Sequence, residues 1–272
     1  MNELDINNPQ LPDFIVPGAD EKKQDEPAKI KVIGVGGGGG NAVNHMYHQG
    51  IGGVSFVLCN TDAQALRNSP VPVKVQLGAK GEGAGNIPEV AKKLAEESAA
   101  EVEALFDDNT RMAFITAGMG GGTGTGAAPV VARIAKEKGV LTVGIVTIPF
   151  LFEGEPKILQ AFAGVEEMRK HVDALLVINN ERLCKIYPDL SWTTAFAKAD
   201  DSLSNAARSI AELVSKDGKI NLDFADVRTT LKDGGAAVIS TGSGEGEHRM
   251  SRAIQNALTS PLLKESDIYG AE

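Results

Sequence analysis

No stretch of this sequence is long and apolar enough to cross a bilayer, and no basic stripe runs through it. The first absence argues against a protein inserted in the membrane. The second, with a formal net charge of −9, argues against a nucleic-acid binder. Cysteine is scarce. Cys59 and Cys184 lie in or beside apolar runs without metal-ligand spacing, so buried free thiols are expected. The N-terminus MNELDINNPQLPDF is acidic and proline-bearing and does not read as a secretory signal, which leaves a cytoplasmic location as the expectation. Also missing are the phosphate-binding motif G-x-x-x-x-G-K-[ST] and the signatures of protein kinases.

What remains is an ordinary globular composition, 42% hydrophobic, in a chain of 272 residues that can bury a substantial core. Residues 1–28 hold seven acids against two lysines, lack apolar periodicity and read as a disordered tail. Apolar segments at 29–35, 53–60, 72–77, 111–118, 140–150 and 173–180 then alternate with helical patterns, the first helix starting near Asn41. Near-continuous apolar strands alternating with helices predict an α/β fold, a Rossmann-like parallel sheet covered on both faces. Trp192 to about Ser215 is one long central helix, followed by a loop, a helix at DFADVRTTLK, a strand near 235–242 and a helix near 247–259. The expected division is a tail (1–28), a nucleotide-binding α/β domain (29–190), a central helix with its following loop (191–228) and the start of a second, α+β domain (229–272). The strand near 235–242 is expected to lack a sheet partner in its own domain.

Three strand-to-helix loops are rich in glycine: 36–40, 81–85 and 118–126, the last reading GMGGGTGTG. Glycine loses the most backbone entropy on folding, so such runs need a cause. Helix N-termini leave N–H groups unpaired, and glycine lets an anion approach them closely. In an open parallel sheet these loops share the carboxyl edge, where three of them suit a ligand with several phosphates. GVGGGGGNA alone also satisfies the dinucleotide pattern G-x-G-x-x-G, with Asp62 as the acid near the end of the second strand. A nicotinamide-dependent oxidoreductase is therefore an alternative, although that fold does not need a second loop so rich in glycine. His45 and His48 share a helix face at i, i+3 without a further ligand, which favours a surface or packing role over a metal site.

GGGTGTG with its flanks resembles the signature of the tubulin and FtsZ family of GTPases. IKVIGVGGGGGNAVNHM, NTDAQAL, TIPFLFEG and NLDFADVRTTL resemble its bacterial division branch, in family order, from about Lys29 to the last residue. The resemblance implies GTP or GDP, with magnesium, across the carboxyl edge of the sheet. Gly37, Gly38 and Asn41 match the first loop, and Ala84 and Gly85 the loop that senses the γ-phosphate. Gly121, Gly122, Thr123 and Gly124 match the signature loop. Glu153 matches the ribose contact, with Lys157 where an arginine is common, and Asn180 the amide at the guanine edge. Asp200 matches the acid that accepts from guanine N1–H and its exocyclic amine, with Asp201 one residue away as the alternative.

Asp223 and Asp226, at i, i+3, read by themselves as acids at a capped helix N-terminus. The resemblance instead implies that they and Asn221 are catalytic, entering the nucleotide site of the next subunit in a head-to-tail homopolymer. Each monomer would then hold half an active site, and an unclosed contact of this kind makes a filament. Division-machinery partners and a place at the division site are implied likewise. Against turnover stands the short ending, so a module that binds GTP without hydrolysing it is the other reading.

Overall fold

The computed structural model describes residues 30–186, 192–215, 224–237 and 242–258. Its frame is a seven-stranded sheet in the order β3-β2-β1-β4-β5-β6-β7, with all neighbours parallel. The strands are β1 (Ile30–Val35), β2 (Val54–Asn60), β3 (Val73–Gln76), β4 (Met112–Gly118), β5 (Leu141–Ile148), β6 (Ala174–Asn179) and β7 (Gly235–Ala237). Connection order reverses between β1 and β4, which makes the gap at their carboxyl ends the switch point of a doubly wound sheet.

The central strands are apolar on both sides because both sides are covered. Ile33 and Val35 of β1 face one layer, and Ile30 and Val32 face the other. The first layer holds α3 (Pro88–Glu97), α4 (Ala99–Glu103), α5 (Gly122–Glu137) and α6 (Glu155–Arg169), packing Ala91, Val102, Ala128, Val131 and Met168 on the sheet. The second holds α1 (Gly36–His48), α8 (Trp192–Ser215) and α9 (Phe224–Leu231), packing Val43, Met46, Leu203, Ala207 and Phe224. Shorter helices α2 (Ala63–Arg67) and α7 (Asn180–Ile186) follow β2 and β6, and α10 (Arg249–Leu258) comes last. Along α10, Met250, Ile254 and Leu258 are exposed.

One expectation changes and another is extended. The first helix does not wait for Asn41: it starts at Gly36, so the glycine run is its first turn. The close approach of that turn to β4 explains the composition, since a Cβ on Gly39 would lie 2.2 Å from the carbonyl oxygen of Thr116. The strand expected to lack a sheet partner in its own domain finds one outside it, in the main sheet. Gly235–Ala237 pairs with Ala174–Leu176 at the edge of the main sheet, where β6 offers an open row of backbone groups.

Cys59 is a buried free thiol, as expected, and burial pushes its pKa up to about 12. The side chain of Cys184 lies outside the described residues. No described helix is long and apolar enough to cross a membrane.

Candidate functional site

The loops after β1 and β4 meet at the switch point. Val35 and Ala117 are paired in register, so Gly36–Gly40 and Gly118–Gly126 leave the sheet side by side. Contact between them is backbone to backbone. A Cβ on Gly38 would sit 3.1 Å from Gly118 Cα, and one on Gly36 would sit 2.8 Å from the nitrogen of Gly124. Gly36 and Gly120 also take φ of +73° and +97°, which side chains resist. Toward the opening, Gly37 and Gly38 are exposed, and a Cβ on Gly37 would meet nothing within 4 Å. The N-termini of α1 and α5 carry no side-chain cap. Their first N–H groups are thus available to an anion, with two helix dipoles behind them.

The third glycine loop, after β3, comes to the same place through its far end. A Cβ on Gly122 would lie 2.8 Å from the nitrogen of Ile87, and one on Gly126 would lie 1.9 Å from the carbonyl oxygen of Pro88. Ala84 is buried, so only its backbone is offered, whereas Gly85 is exposed with φ of +56°. Ile87 is half exposed beside the signature loop.

Thr61, which the sequence reading did not single out, joins the site. It is buried after β2, and its Oγ1 lies 2.7 Å from Oγ1 of Thr123. Its neighbour Asp62 accepts from the N–H groups of Gln64 and Ala65 and so caps α2. That geometry accounts for Asp62 without a ribose contact.

Farther along the same edge lie the groups assigned to the nucleoside. Asn41 is exposed at the mouth of a cleft lined also by Gly37, Asn44 and Asn60. Asn180, at the carboxyl end of β6, is buried, and its Oδ1 has no hydrogen-bond partner. A buried amide without a partner is costly, and a ligand donor would relieve it. Phe196 of α8 packs edge-on to Phe150, 5.1 Å between centroids, yet stays 44% exposed. It is a flat apolar surface one helical turn before Asp200, and an i, i+4 spacing places ring and carboxyl on one face. Sequence reasoning missed Phe196, although that spacing was readable.

The two adjacent acids differ. Asp201 lies 2.8 Å from Nε2 of His45 and pairs with Lys198 at 3.3 Å. Burial pushes the Asp200 carboxyl up to about 6, His45 opposing and Asp201 adding to the rise. His45 thus links α1 to α8. No group of three or more His, Cys, Asp and Glu among the described residues could hold a metal. Glu153 accepts from the N–H of Phe150 at 3.0 Å and pairs with Lys157 at 3.3 Å. Both residues border the loop that leads into α6.

Asp226 lies elsewhere. Phe224, which opens α9, sits under the guanidinium of Arg111 at 4.2 Å, and Arg111 precedes β4. After α9, the N–H of Gly235 donates to the carbonyl oxygen of Asp173, which precedes β6. Both ends of α9 are therefore fixed at the amino edge of the sheet. The glycine loops leave its carboxyl edge, and the seven residues of β4 separate the two by roughly 20 Å. Asp226 is exposed there. Asn221 and Asp223 lie outside the described residues.

Residues 29–188 match the family described as "Tubulin/FtsZ family, GTPase domain". Over 249 residues the chain is 66% identical to the cell division protein FtsZ of Porphyromonas gingivalis, covering 90% of this chain and 54% of that protein. Over 248 residues it is 48% identical to the same-named protein of Wigglesworthia glossinidia brevipalpis, covering 90% and 64%. Among solved structures, the FtsZ dimer of M. jannaschii superposes with a TM-score of 0.82 at 45% identity, covering 88% of this chain and 71% of that one. CetZ2 of Haloferax volcanii shares the fold, with a TM-score of 0.72 at 24% identity. The chain thus spans about half the length of the P. gingivalis protein.

Proposed function

The chain belongs to the tubulin/FtsZ family of GTPases, and on that premise we propose that it binds GTP in the crevice at the carboxyl edge and hydrolyses it between subunits. One observation carries the reading: the glycine loops and the acid-bearing helix α9 occupy opposite edges of one sheet. No single copy can bring Asp226 to its own crevice. Stacking copies head to tail places the amino edge of one against the carboxyl edge of the next, and the repeat is a filament.

Within one site the roles divide by chemistry. N–H groups of Gly37, Gly38, Gly121, Gly122 and Gly124 meet phosphate oxygens, with Thr123 held by Thr61. Ala84 and Gly85 offer backbone to the γ-phosphate. Phe196 stacks on the base, Asn180 meets its edge, and Asp200 accepts its two adjacent donors. A carboxylate suits guanine and not adenine, which presents an acceptor at N1. Glu153 and Lys157 border the ribose, beside Asn41. No protein cage for magnesium exists among the described residues, so magnesium, when bound, would be held mainly through the nucleotide phosphates and water. From the neighbouring copy, Asp226 with Asn221 and Asp223 orients the attacking water.

Both relatives are named as cell division proteins, and we assign this chain work of that kind: a self-assembling scaffold at the division site with other division proteins as partners. GTP hydrolysis measured against protein concentration, with magnesium, tests it. A specific rate near zero at low concentration that climbs above a threshold is expected. Tight GTP binding without turnover at any concentration would make the protein a nucleotide-loaded module instead.

A further inference from the structure

Gln160 of α6 faces the back of the signature loop. Its Nε2 lies 3.1 Å from the carbonyl oxygen of Gly120, 3.2 Å from that of Gly121 and 3.5 Å from that of Asn86. Carbonyl oxygens only accept, so the nitrogen of the amide must be the end that faces them, two hydrogens shared among three acceptors. In a planar trans peptide the N–H points away from the preceding C=O. Drawing the carbonyls of Gly120 and Gly121 toward Gln160 therefore turns the N–H groups of Gly121 and Gly122 the other way. Thr125 Oγ1 also accepts from the N–H of Gly120 at 2.9 Å and fixes the peptide before them. The third carbonyl belongs to Asn86, whose φ of 63° marks a bend in the loop that meets Gly122.

We propose that Gln160 is a positioning residue for phosphate recognition: from behind, its amide sets the direction of the Gly121 and Gly122 N–H groups and ties the signature loop to the loop around Asn86. The inference rests on the nucleotide reading above and deepens it. Its contribution to phosphate binding passes through the backbone carbonyls it holds. A preset array of donors binds an anion without reorganising, whereas a loop free to rotate its peptides must be ordered at each binding event.

The test compares the full chain with its Gln160→Glu and Gln160→Met variants. Glutamate keeps the shape but sets a carboxylate against three carbonyls, and methionine removes the donor without adding charge. Affinities for GTP, GDP and guanosine are read by displacement of a fluorescent guanine nucleotide, and thermal unfolding of the nucleotide-free protein is followed in parallel. GTP binding about tenfold weaker or more is expected for both variants, with guanosine binding unchanged. Should Gln160→Glu fail to fold, Gln160→Met carries the comparison. GTP affinity preserved to within about twofold, less than half a kcal/mol by the same conversion, would overturn the assignment. So would parallel losses for guanosine and GTP, the mark of general damage to the fold. Failure of the unaltered chain to bind GTP would instead sink the nucleotide reading itself, and the inference with it.

Discussion

Thr61 and Thr123 meet hydroxyl to hydroxyl, 2.7 Å apart, across the gap between the end of β2 and the first turn of α5. Thr61 is buried, so its hydroxyl has little access to water. The pair therefore fixes the rotamer of Thr123, the side chain nearest to the phosphates in the proposed complex. Thr61→Val keeps the volume and removes the partner. On the order of tenfold weaker GTP binding is expected, with Thr61→Ser close to the parent. Equilibrium titration with a fluorescent GTP analogue reads it. Equal affinities for Thr61→Val and the parent would show that the contact does not orient Thr123.

The glycines of α1 separate packing from binding. A Cβ on Gly39 would lie 2.2 Å from the carbonyl oxygen of Thr116, so Gly39→Ala forces α1 off β4. A loss of about 1–3 kcal/mol or more is expected in urea unfolding of the nucleotide-free protein. Gly37 has open space where its Cβ would go, and alanine in a helix gains about 0.5–1 kcal/mol over glycine. Gly37→Ala should hold or raise stability while weakening GTP binding, because that space is assigned to phosphate. Unchanged GTP affinity in Gly37→Ala would move the nucleotide away from the first loop.

Asp200 makes a pH prediction with a definite sign. Burial, countered in part by His45 and reinforced by Asp201, raises its folded pKa to about 6. The folded, nucleotide-free state thus holds that proton more tightly than the unfolded chain. Stability from this group is present below the ordinary aspartate value and is lost as pH rises through about 6. GTP binding runs the opposite way, since only the carboxylate accepts both guanine donors: affinity should climb from pH 5 to pH 7. Asp200→Asn should flatten both profiles. It should also turn preference from GTP toward xanthosine triphosphate, whose C2 carbonyl matches the new amide donor. Asp201→Asn, altering the acid held by His45 and Lys198, should keep GTP preferred. A base switch in Asp201→Asn instead would exchange the roles of the two acids.

How much of this was legible in the sequence depends on how local the cause is. Glycine loops after apolar strands announce themselves because close backbone approach admits no side chain, and 36–40 and 118–126 did meet as their placement implied. Phe196 and Asp200 share a readable helical spacing, yet only the exposure of Phe196 distinguishes it from a core aromatic. Thr61 lies inside the quoted NTDAQAL yet its role was not readable there, and Gln160 gives no local signal, because their partners lie 62 residues away for Thr61 and 39–74 residues away for Gln160. The edge pairing of Gly235–Ala237 was hidden for the same reason: three small residues find their partner through the fold, not through their own pattern.

Asp226 lies on α9 at the amino edge, and Gly122 lies at the carboxyl edge against Ile87. Asp226→Ala should therefore bind GTP like the parent yet turn it over at least 100-fold more slowly, the scale of losing a positioned general base. Gly122→Val, whose side chain would drive into the backbone at Asn86 and Ile87, should lose GTP binding while keeping Asp226 intact. Each variant is nearly inactive alone. Mixed, an Asp226→Ala subunit supplies a sound crevice and a Gly122→Val subunit supplies a sound acid, so junctions in one orientation become complete. Turnover should reappear in the mixture and grow with the Gly122→Val share until junctions of the useful kind are saturated. A mixture no more active than the sum of its parts, although both variants co-sediment in polymers, would place the catalytic acid within the same subunit as the nucleotide and rule out the shared site.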